Sequence, residues 1–266
     1  MGEQTYTFRD PSFNIDRSPY FTLLIQVNKD SFSYAVINDK QLIASGSNLN
    51  LSELENPIEL MDVLTASYKN TIIGLPSDGF TLVPTQLFNK DQVTNYARLL
   101  NVQSNEKVLA QELDKNNFII YKTDKNAIAA IQNFGINNLV YWGKGWLTAV
   151  AQSEPSNHDI YVQTENSRAN ILYFKDGSIR FYNSFEYKNA DDLIYYTSLV
   201  IEELGLNPDN IELKLSSEDK NQTQLARFFK NVVRFDPRIL ELPSGIGSQN
   251  ILTLAALSLC ESSAEF

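Results

Sequence analysis

Histidine and cysteine, two residue types often used in nucleophilic catalysis, each occur once in this chain, and they lie far apart in the sequence. The one histidine, His158, stands beside Asp159 in a polar segment, and the one cysteine, Cys260, ends the apolar stretch 251–260. A serine–histidine–aspartate site would need a serine that the sequence does not identify, so we expect His158 to be a loop residue. Burial in an apolar helix would make Cys260 an inert thiol. Neither residue predicts a nucleophile.

Two short segments have residue types that bind ligands or partners in other proteins. Gly245 and Gly247 precede a predicted helix, whose N-terminus could hold an anion. A simple helix entry with Ser248 as the N-cap explains the same glycines. Trp142 and Trp146 flank two glycines that predict a flexible turn. Such an aromatic pair could anchor a partner chain, or it could cap a core.

Composition and charge narrow the classes of protein. The chain has 266 residues, of which 43% are hydrophobic, and this is enough for one large domain or two coupled lobes. Its 32 acidic and 22 basic residues give a net charge of −10, which repels nucleic acids and anionic lipids. One cysteine and one histidine cannot build a disulfide or a Cys/His zinc site. We expect no nucleic-acid partner, no metal and no cofactor.

The ends of the chain predict a cytoplasmic protein without membrane insertion. The first ten residues are polar and lack the basic end and apolar run of a signal peptide. The stretch 251–260 is about half of the roughly 20 apolar residues that cross a bilayer, so it predicts a buried helix. The sequence does not predict an oligomeric state.

The segment that begins at Tyr20 predicts a meander of three antiparallel strands. Its apolar runs are separated by the polar tetrad Asn28–Ser31 and by a second turn at 38–40. A helix and a further strand follow the meander. The predicted elements are strands at 20–27, 32–37 and 41–45, a helix at 57–68 and a strand at 71–75.

The second half repeats this order. Asp176–Gly177, between two apolar runs, is typical of a type I′ hairpin turn. A helix is predicted from the N-cap Asn189 to a stop at Gly205, and the helix dipole explains the acidic pair Asp191–Asp192 in its first turn without a metal. The predicted strands lie at 159–164, 169–174, 178–184 and 211–215.

Sliding the first hairpin by 137 residues lays it on the second without a gap. The strand after the helix aligns with a two-residue slip, Ile72 onto Ile211. Few residues are identical, so element order and hydrophobic register indicate the repeat. Chance alignment of hairpins is the alternative. The aligned segments are Leu23–Ile25 on Ile160–Val162, Tyr34–Ile37 on Ile171–Phe174 and Asp39 on Asp176.

Helices and strands alternate almost to the end of the chain, which favours α/β layers over a β-sandwich. We therefore predict an α/β protein with an N-terminal extension at 1–19, a first lobe at 20–152 and a second lobe at 153–266. Further elements are predicted as helices at 91–100, 125–134, 222–230 and from 248, and as strands at 107–111, 118–122, 139–142 and 232–235.

A three-stranded meander followed by a helix and a strand, occurring twice, resembles the duplicated core of the actin, sugar kinase and chaperone ATPase superfamily. The Leu23–Val27 run and the block 171–203 are similar to an uncharacterised bacterial family with an actin-like ATPase fold. The Lys175–Gly177 turn is similar to that of the pilus-assembly ATPases. The resemblance implies a duplicated actin-like ATPase (ribonuclease H-like) fold of two lobes, each with a mixed sheet and flanking helices.

The resemblance also implies where nucleotide-binding residues should stand. Active members of the superfamily carry an Asp near the end of each hairpin's first strand and a Gly two residues later. The carboxylate orients the metal and the attacking water, and the glycine lets the backbone approach the phosphates. Here the acid positions are Gln26 and Gln163, and the glycine positions are Asn28 and Glu165. A neutral amide is a poor Mg²⁺ ligand, and Glu165 would repel a polyphosphate.

The adenosine-binding turn of such proteins is a Gly-Gly pair after the last strand of the second unit, where this chain has Ser216 and Ser217. We therefore expect a degenerate ATPase, which serves as a non-catalytic scaffold and binds another protein. One alternative is an ATP-binding kinase or ATPase that uses Asp30 or Asp39. Another is a ribonuclease H-like nuclease, which would need a carboxylate where Gln26 stands.

Overall fold

The structure, a computed structural model, describes residues 6–77, 79–135, 139–165, 167–217 and 219–260. The chain divides into two compact units. The first contains the described residues up to Thr148, Ile239–Ile246 and residues 251–260; the second contains the described residues of Ala149–Arg238 and Gly247–Asn250. In the described part of the chain, no helix has the length and apolar character needed to cross a membrane.

The first unit contains a six-stranded mixed sheet in the order β1–β4–β3–β2–β5–β9. The predicted meander forms its centre, with β2, β3 and β4 antiparallel and with β2, β5 and β9 parallel. The outer strand β1 pairs with β4 and comes from the segment predicted as an N-terminal extension, so that part of the prediction is wrong. The strands are β1 (Tyr6–Arg9), β2 (Thr22–Val27), β3 (Ser31–Asn38), β4 (Gln41–Asn50), β5 (Asn70–Leu75) and β9 (Leu139–Tyr141).

A three-stranded antiparallel sheet, in the order β6–β8–β7, completes the strands of the first unit. The strands are β6 (Gly79–Pro84), β7 (Glu106–Asp114) and β8 (Asn117–Asp124). Sequence analysis located β7 and β8 but missed β6. The helices that accompany the sheets are α1 (Ser52–Glu55), α2 (Met61–Leu64), α3 (Val93–Ala97) and α4 (Lys125–Ala130).

The prediction of one helix over 57–68 is wrong, because only the one-turn helix α2 stands in that range, and a second one-turn helix, α1, precedes it. The loop between them is held by the carboxylate of Glu53, which accepts the backbone N–H groups of Ile58, Glu59 and Leu60 at 3.0 to 3.2 Å. Since a side chain satisfies these N–H groups, the backbone has no need of a continuous helix. These hydrogen bonds hold the pKa of Glu53 below its usual value.

The second unit contains a five-stranded mixed sheet in the order β12–β11–β10–β13–β14. Its strands are β10 (Asp159–Glu165), β11 (Arg168–Lys175), β12 (Ser178–Glu186), β13 (Glu212–Ser216) and β14 (Val232–Arg234). The remaining helices are α5 (Gly143–Gln152), α6 (Ala190–Glu203), α7 (Asp219–Leu225) and α8 (Ser248–Ala256).

Helix α6 agrees with its prediction. The side chain of Asn189 accepts the N–H groups of Asp191 and Asp192, at 2.9 and 3.0 Å. Gly205 follows the helix with a φ of +65°, a left-handed conformation that glycine adopts without strain. The buried face of α6 covers one face of the sheet and forms the core of the second unit with apolar residues of β10, β11 and β13.

The two hairpins have the same register. Gln26 lies opposite Ser33, and their counterparts at a shift of 137 residues, Gln163 and Asn170, also lie opposite each other. Asp39 and Asp176 both occupy left-handed turn positions, with φ values of 51° and 52°. The ungapped hairpin alignment is therefore confirmed.

The alignment of the following strand is wrong by three residues. Ile72 pairs with Leu24 in the first unit, and the counterpart of Leu24, Tyr161, pairs with Lys214 in the second. Ile72 therefore corresponds to Lys214 and not to Ile211. The larger offset arises because the second unit has the 14-residue α6 where the first has two four-residue helices.

The apolar C-terminal helix packs on the first unit, although the sequence assigned it to a second lobe. Ile251, Leu254 and Leu257 form one cluster with Leu24 and Val140 of the first unit's sheet. The N-terminal turn of α5 comes very close to this helix, since a Cβ placed on Gly145 would lie 2.1 Å from the carbonyl oxygen of Ala256. Only glycine fits at this contact.

Gln111 satisfies a backbone group of the outer strand β9 in the first unit. Its Oε1 accepts the Tyr141 N–H at 2.8 Å, and both residues are buried. We expect Gln111→Leu to lower the free energy of unfolding by about 1–3 kcal/mol, because it removes the acceptor inside the protein. Urea denaturation measures the change. Gln132→Leu, at an exposed position, is the control, and equal midpoints for the two variants would contradict the prediction.

Candidate functional site

The first unit has a buried amide at its predicted acid position. Gln26 is 3% exposed, faces Ser33 on β3 and pairs with Gly74 on β5. The hydroxyl of Ser33 accepts the Asn48 N–H at 3.4 Å. Asn28 donates its backbone N–H to the Ser31 carbonyl at 2.8 Å and so closes the hairpin turn. The strand end therefore carries neutral groups.

The two acidic residues proposed for an atypical nucleotide site lie at opposite ends of the first hairpin. Asp30 is exposed in the turn between β2 and β3. Asp39 lies between β3 and β4, beside the start of β2, at the opposite end of the hairpin from Gln26. The two carboxylates are therefore separated by the length of β3.

The second unit repeats the neutral arrangement. Gln163 is 4% exposed and lies between Asn170 on β11 and Ser216 on β13. Asn170 donates its Nδ2–H to Gln163 Oε1 at 3.3 Å, and the Ser216 hydroxyl donates to the Phe235 carbonyl at 2.8 Å. Glu165 ends β10, with Arg168 opposite it. Asn166, which the sequence placed in the same turn, lies outside the described residues.

Three polar residues near the end of β13, Thr164, Ser217 and Asn221, are hydrogen-bonded to one another. We call them the hydroxyl–amide cluster. The hydroxyls of Thr164 and Ser217 share a hydrogen bond. Asn221 donates its Nδ2–H to the Ser217 hydroxyl at 2.6 Å and approaches the Thr164 hydroxyl at 3.4 Å. The predicted adenosine-turn residue Ser217 is thus held by side chains of this chain.

Sequence analysis missed Thr164, Asn170 and Asn221. Asn170 could have been predicted, because the 137-residue shift makes it the counterpart of Ser33, which lies opposite Gln26 in the first hairpin. Asn221 follows Ser217 by four residues, which is the spacing of neighbours on a helix face. That signal was hidden by a helix prediction that began only at residue 222.

Acidic side chains do not gather at these strand ends. In the ranges that the structure describes, no three His, Cys, Asp or Glu side chains lie close enough to hold a metal ion. The groups around Gln26 and Gln163 are amides and hydroxyls, whereas Mg²⁺ sites in proteins are built on carboxylates.

The buried charges of the second unit lie at the other end of its strands. Asp159, at the start of β10, forms an ion pair with Lys214 at 2.9 Å and accepts the Ser156 N–H at 3.0 Å. Burial raises the pKa of Asp159, but the hydrogen bonds from Ser156 and Lys214 outweigh it, so the net pKa is lowered. His158 is exposed in the adjoining loop and accepts the Glu212 N–H through its backbone carbonyl.

The aromatic pair predicted as a partner-binding site is buried. Trp142 is 6% exposed and Trp146 is 0% exposed. The predicted flexible turn is the start of α5, which begins at Gly143. Neither indole offers an exposed surface, so the core-capping alternative describes this pair. Cys260 is also buried, and burial raises the pKa of its thiol to about 12, far from a reactive thiolate.

The glycines at 245 and 247 precede α8, as predicted. Gly245 has a φ of +100°, in the range that glycine tolerates. The hydroxyl of Ser248 donates to the carboxylate of Asp236 at 2.7 Å. The protein therefore places its own negative charge beside the start of this helix, where an external anion would have had to bind.

Two units, each built of a meander, a helical segment and a parallel strand, define an actin-like ATPase fold. The structure is similar to a Bacteroides thetaiotaomicron protein with this fold and unknown function, at a TM-score of 0.72 and 22% identity over 92% of this chain and 98% of that one. It is also similar to a chain of the PilM–PilN type IV pilus biogenesis complex, at a TM-score of 0.61 and 12% identity over 90% of this chain and 98% of that one.

Residues 10–232 match the family described as "Protein of unknown function (DUF3822)", and the chain belongs to that family. No curated protein matches the sequence significantly.

Proposed function

We propose that this protein is a non-catalytic actin-like module that acts as a scaffold by binding another protein. The observation that carries the proposal is the presence of buried neutral amides, Gln26 and Gln163, at the corresponding strand ends of both units. Each amide sits where the resemblance to active members of the superfamily requires a carboxylate.

Electrostatics supports the loss of triphosphate binding. A Mg²⁺·ATP complex needs anionic oxygen ligands for the metal and cationic or N–H groups for the phosphates. Gln26 and Gln163 supply neither charge, and Glu165 adds a negative one. Repulsion between two unit charges about 4 Å apart is worth about 4 kcal/mol at an effective dielectric of about 20. That is close to a thousandfold loss of affinity.

The hydroxyl–amide cluster also supports the proposal. Its members bond to one another after β13, where the superfamily has a bare Gly-Gly turn against adenosine. A ligand in that place would have to displace the Asn221 contact to Ser217. Because those hydrogen bonds are made inside the protein, breaking them costs more than displacing water.

Binding to another protein is compatible with the fold. The PilM–PilN structure is a complex of two proteins, one chain of which shares this architecture. Trp142 and Trp146 take no part in the proposal, since both are buried.

Nucleotide-dependent melting tests the proposal. We expect ATP, ADP and GTP, each with Mg²⁺, to leave the melting temperature unchanged, because both metal positions are neutral. A ligand present at 100 times its dissociation constant would add about 2.7 kcal/mol of stability, which is easily seen. We also expect no more ATP hydrolysis than from the double variant Gln26→Ala, Gln163→Ala.

Clear stabilisation by ATP, or hydrolysis well above that of the double variant, would refute the proposal. Either result would favour an ATP-binding enzyme of the same superfamily with atypical residues.

A further inference from the structure

One buried acceptor in the second unit lacks a hydrogen-bond donor. Asn170 is 3% exposed, its Nδ2–H is bonded to Gln163, and its Oδ1 has no hydrogen-bond partner. A buried polar atom in this state is costly, and native proteins satisfy nearly all such atoms. A group from outside the chain is therefore expected to supply the donor.

The orientation of the amide does not remove the problem. If the Asn170 amide were turned over, its oxygen would face Gln163 Oε1, so two acceptors would meet and the nitrogen would take the place of the orphan oxygen. Turning both amides would restore their mutual hydrogen bond and still leave one polar atom of Asn170 without a partner.

The first unit provides an internal comparison. Ser33 stands at the position that corresponds to Asn170, facing Gln26 in the same register. There the chain supplies its own donor, since the Asn48 N–H reaches the Ser33 hydroxyl. In the second unit the neighbouring strand β12 supplies no donor to Asn170 Oδ1, and the Ser184 N–H is bonded to the side chain of Asn183 instead. The open acceptor is thus a feature of one unit.

The position of Asn170 is one where α/β proteins bind ligands. Gln163 and Ser216 mark the carboxyl ends of the parallel strands β10 and β13, and ligands of open α/β sheets bind beyond these ends. On the face of the sheet that carries Asn170, the neighbouring strands β10 and β13 present two neutral side chains, Gln163 and Ser216. The hydroxyl–amide cluster lies on the other face, because Thr164 alternates with Gln163 along β10.

We infer that Asn170 anchors a binding site for a neutral, hydroxyl-bearing small molecule at the carboxyl end of the second unit's sheet. A hydroxyl donates to Asn170 Oδ1 and carries no charge, so it matches a site whose orphan group is an acceptor and whose neighbouring side chains are neutral. In the amide orientation described, a phosphate oxygen would face Asn170 Oδ1 as a second acceptor, so phosphate is a poorer match than a hydroxyl. The inference rests on the proposed function, because it takes this end of the sheet as one that no longer binds a triphosphate.

Two kinds of small molecule carry several hydroxyls on a sugar ring, namely a free sugar and the ribose of a nucleoside. The test measures the melting temperature of the whole protein with D-ribose, D-glucose or adenosine in the millimolar range, and with inorganic phosphate. We expect a concentration-dependent rise with at least one of the first three and none with phosphate. A rise with the sugars assigns the site to free sugars, and a rise with adenosine alone assigns it to nucleosides.

Two variants connect the shift to Asn170. Asn170→Leu and Asn170→Ser, the second of which copies the first unit, are expected to abolish the rise; the serine variant serves if the leucine variant does not fold. Thr123→Val is the matched control, because Thr123 Oγ1 is another buried atom without a hydrogen-bond partner, and it lies in the first unit. This control should keep the full rise.

No rise with any of the three compounds would overturn the inference, as would an equal rise in both Asn170 variants. A crystal grown with the stabilising compound that shows only water on Asn170 Oδ1 would also overturn it. These outcomes are distinct from failure of the proposed function, which would appear as stabilisation by Mg²⁺·ATP beyond that given by adenosine.

Discussion

Gly145→Ala is expected to lower the free energy of unfolding by about 3 kcal/mol, the upper end of the usual cost of overpacking. The new Cβ would lie 2.1 Å from the carbonyl oxygen and 2.4 Å from the carbonyl carbon of Ala256. These are backbone atoms, so no side-chain rotation relieves the overlap, and α5 and the C-terminal helix would have to move apart within the first unit. Alanine's better helix propensity returns only about 1 kcal/mol.

Denaturation by urea, followed by circular dichroism, measures this effect. Gly247→Ala is the matched control, because its nearest neighbour would be Asn250 Nδ2 at 3.6 Å, an ordinary contact. A Gly145→Ala protein as stable as this control would show that the two helices do not approach as closely as described.

Lys214→Met is expected to cost about 3–5 kcal/mol at neutral pH, because it leaves a buried carboxylate without its cation. The side chain of Asp159 is 8% exposed, and Lys214 lies 2.9 Å from it. Methionine keeps most of the volume of the lysine stem, so the loss reports the charge. Lys188→Met, at an exposed position without an ion pair among the described contacts, is the control and should change little.

The pH dependence of this variant has a definite sign. The folded-state pKa of Asp159 is lowered, so its contribution to stability is present above its unfolded pKa and is lost as the pH falls through the folded value. In Lys214→Met the pKa of Asp159 should rise, and protonation then relieves the buried charge. The difference in unfolding free energy between wild type and variant should therefore shrink from pH 7 to pH 4. A constant difference would exclude Asp159 as the cause.

The hairpins and their register were predictable because they depend on local signals. Apolar runs of fixed length and turn residues such as Asp176–Gly177 determine which residues face each other, so Gln26 and Gln163 were placed correctly. The strand after the helix was misplaced, because its position depends on the length of α6 relative to α1 and α2. That length is set by Asn189 in one unit and by the Glu53 loop in the other.

Contacts between segments that are far apart in the chain could not be predicted from the sequence. The helix Gly143–Gln152 was not predicted, because its two glycines are typical of turns. Gly145 is nevertheless required within the helix, because Ala256 approaches it closely. The hydroxyl–amide cluster joins residues more than 50 positions apart. Without knowing that β13 pairs with β10, nothing in the sequence brings Thr164 to Ser217.

The pairing of β1 with β4 sets a limit on how far the chain can be shortened. If Thr7–Arg9 were removed, β4 would become the outermost strand of the six-stranded sheet, with a row of backbone donors and acceptors turned to solvent. Exposed rows of this kind recruit strands from other molecules. Recombinant fragments trimmed to the apparent start of the meander would therefore be prone to aggregate, and affinity tags are better attached ahead of the intact amino-terminal segment.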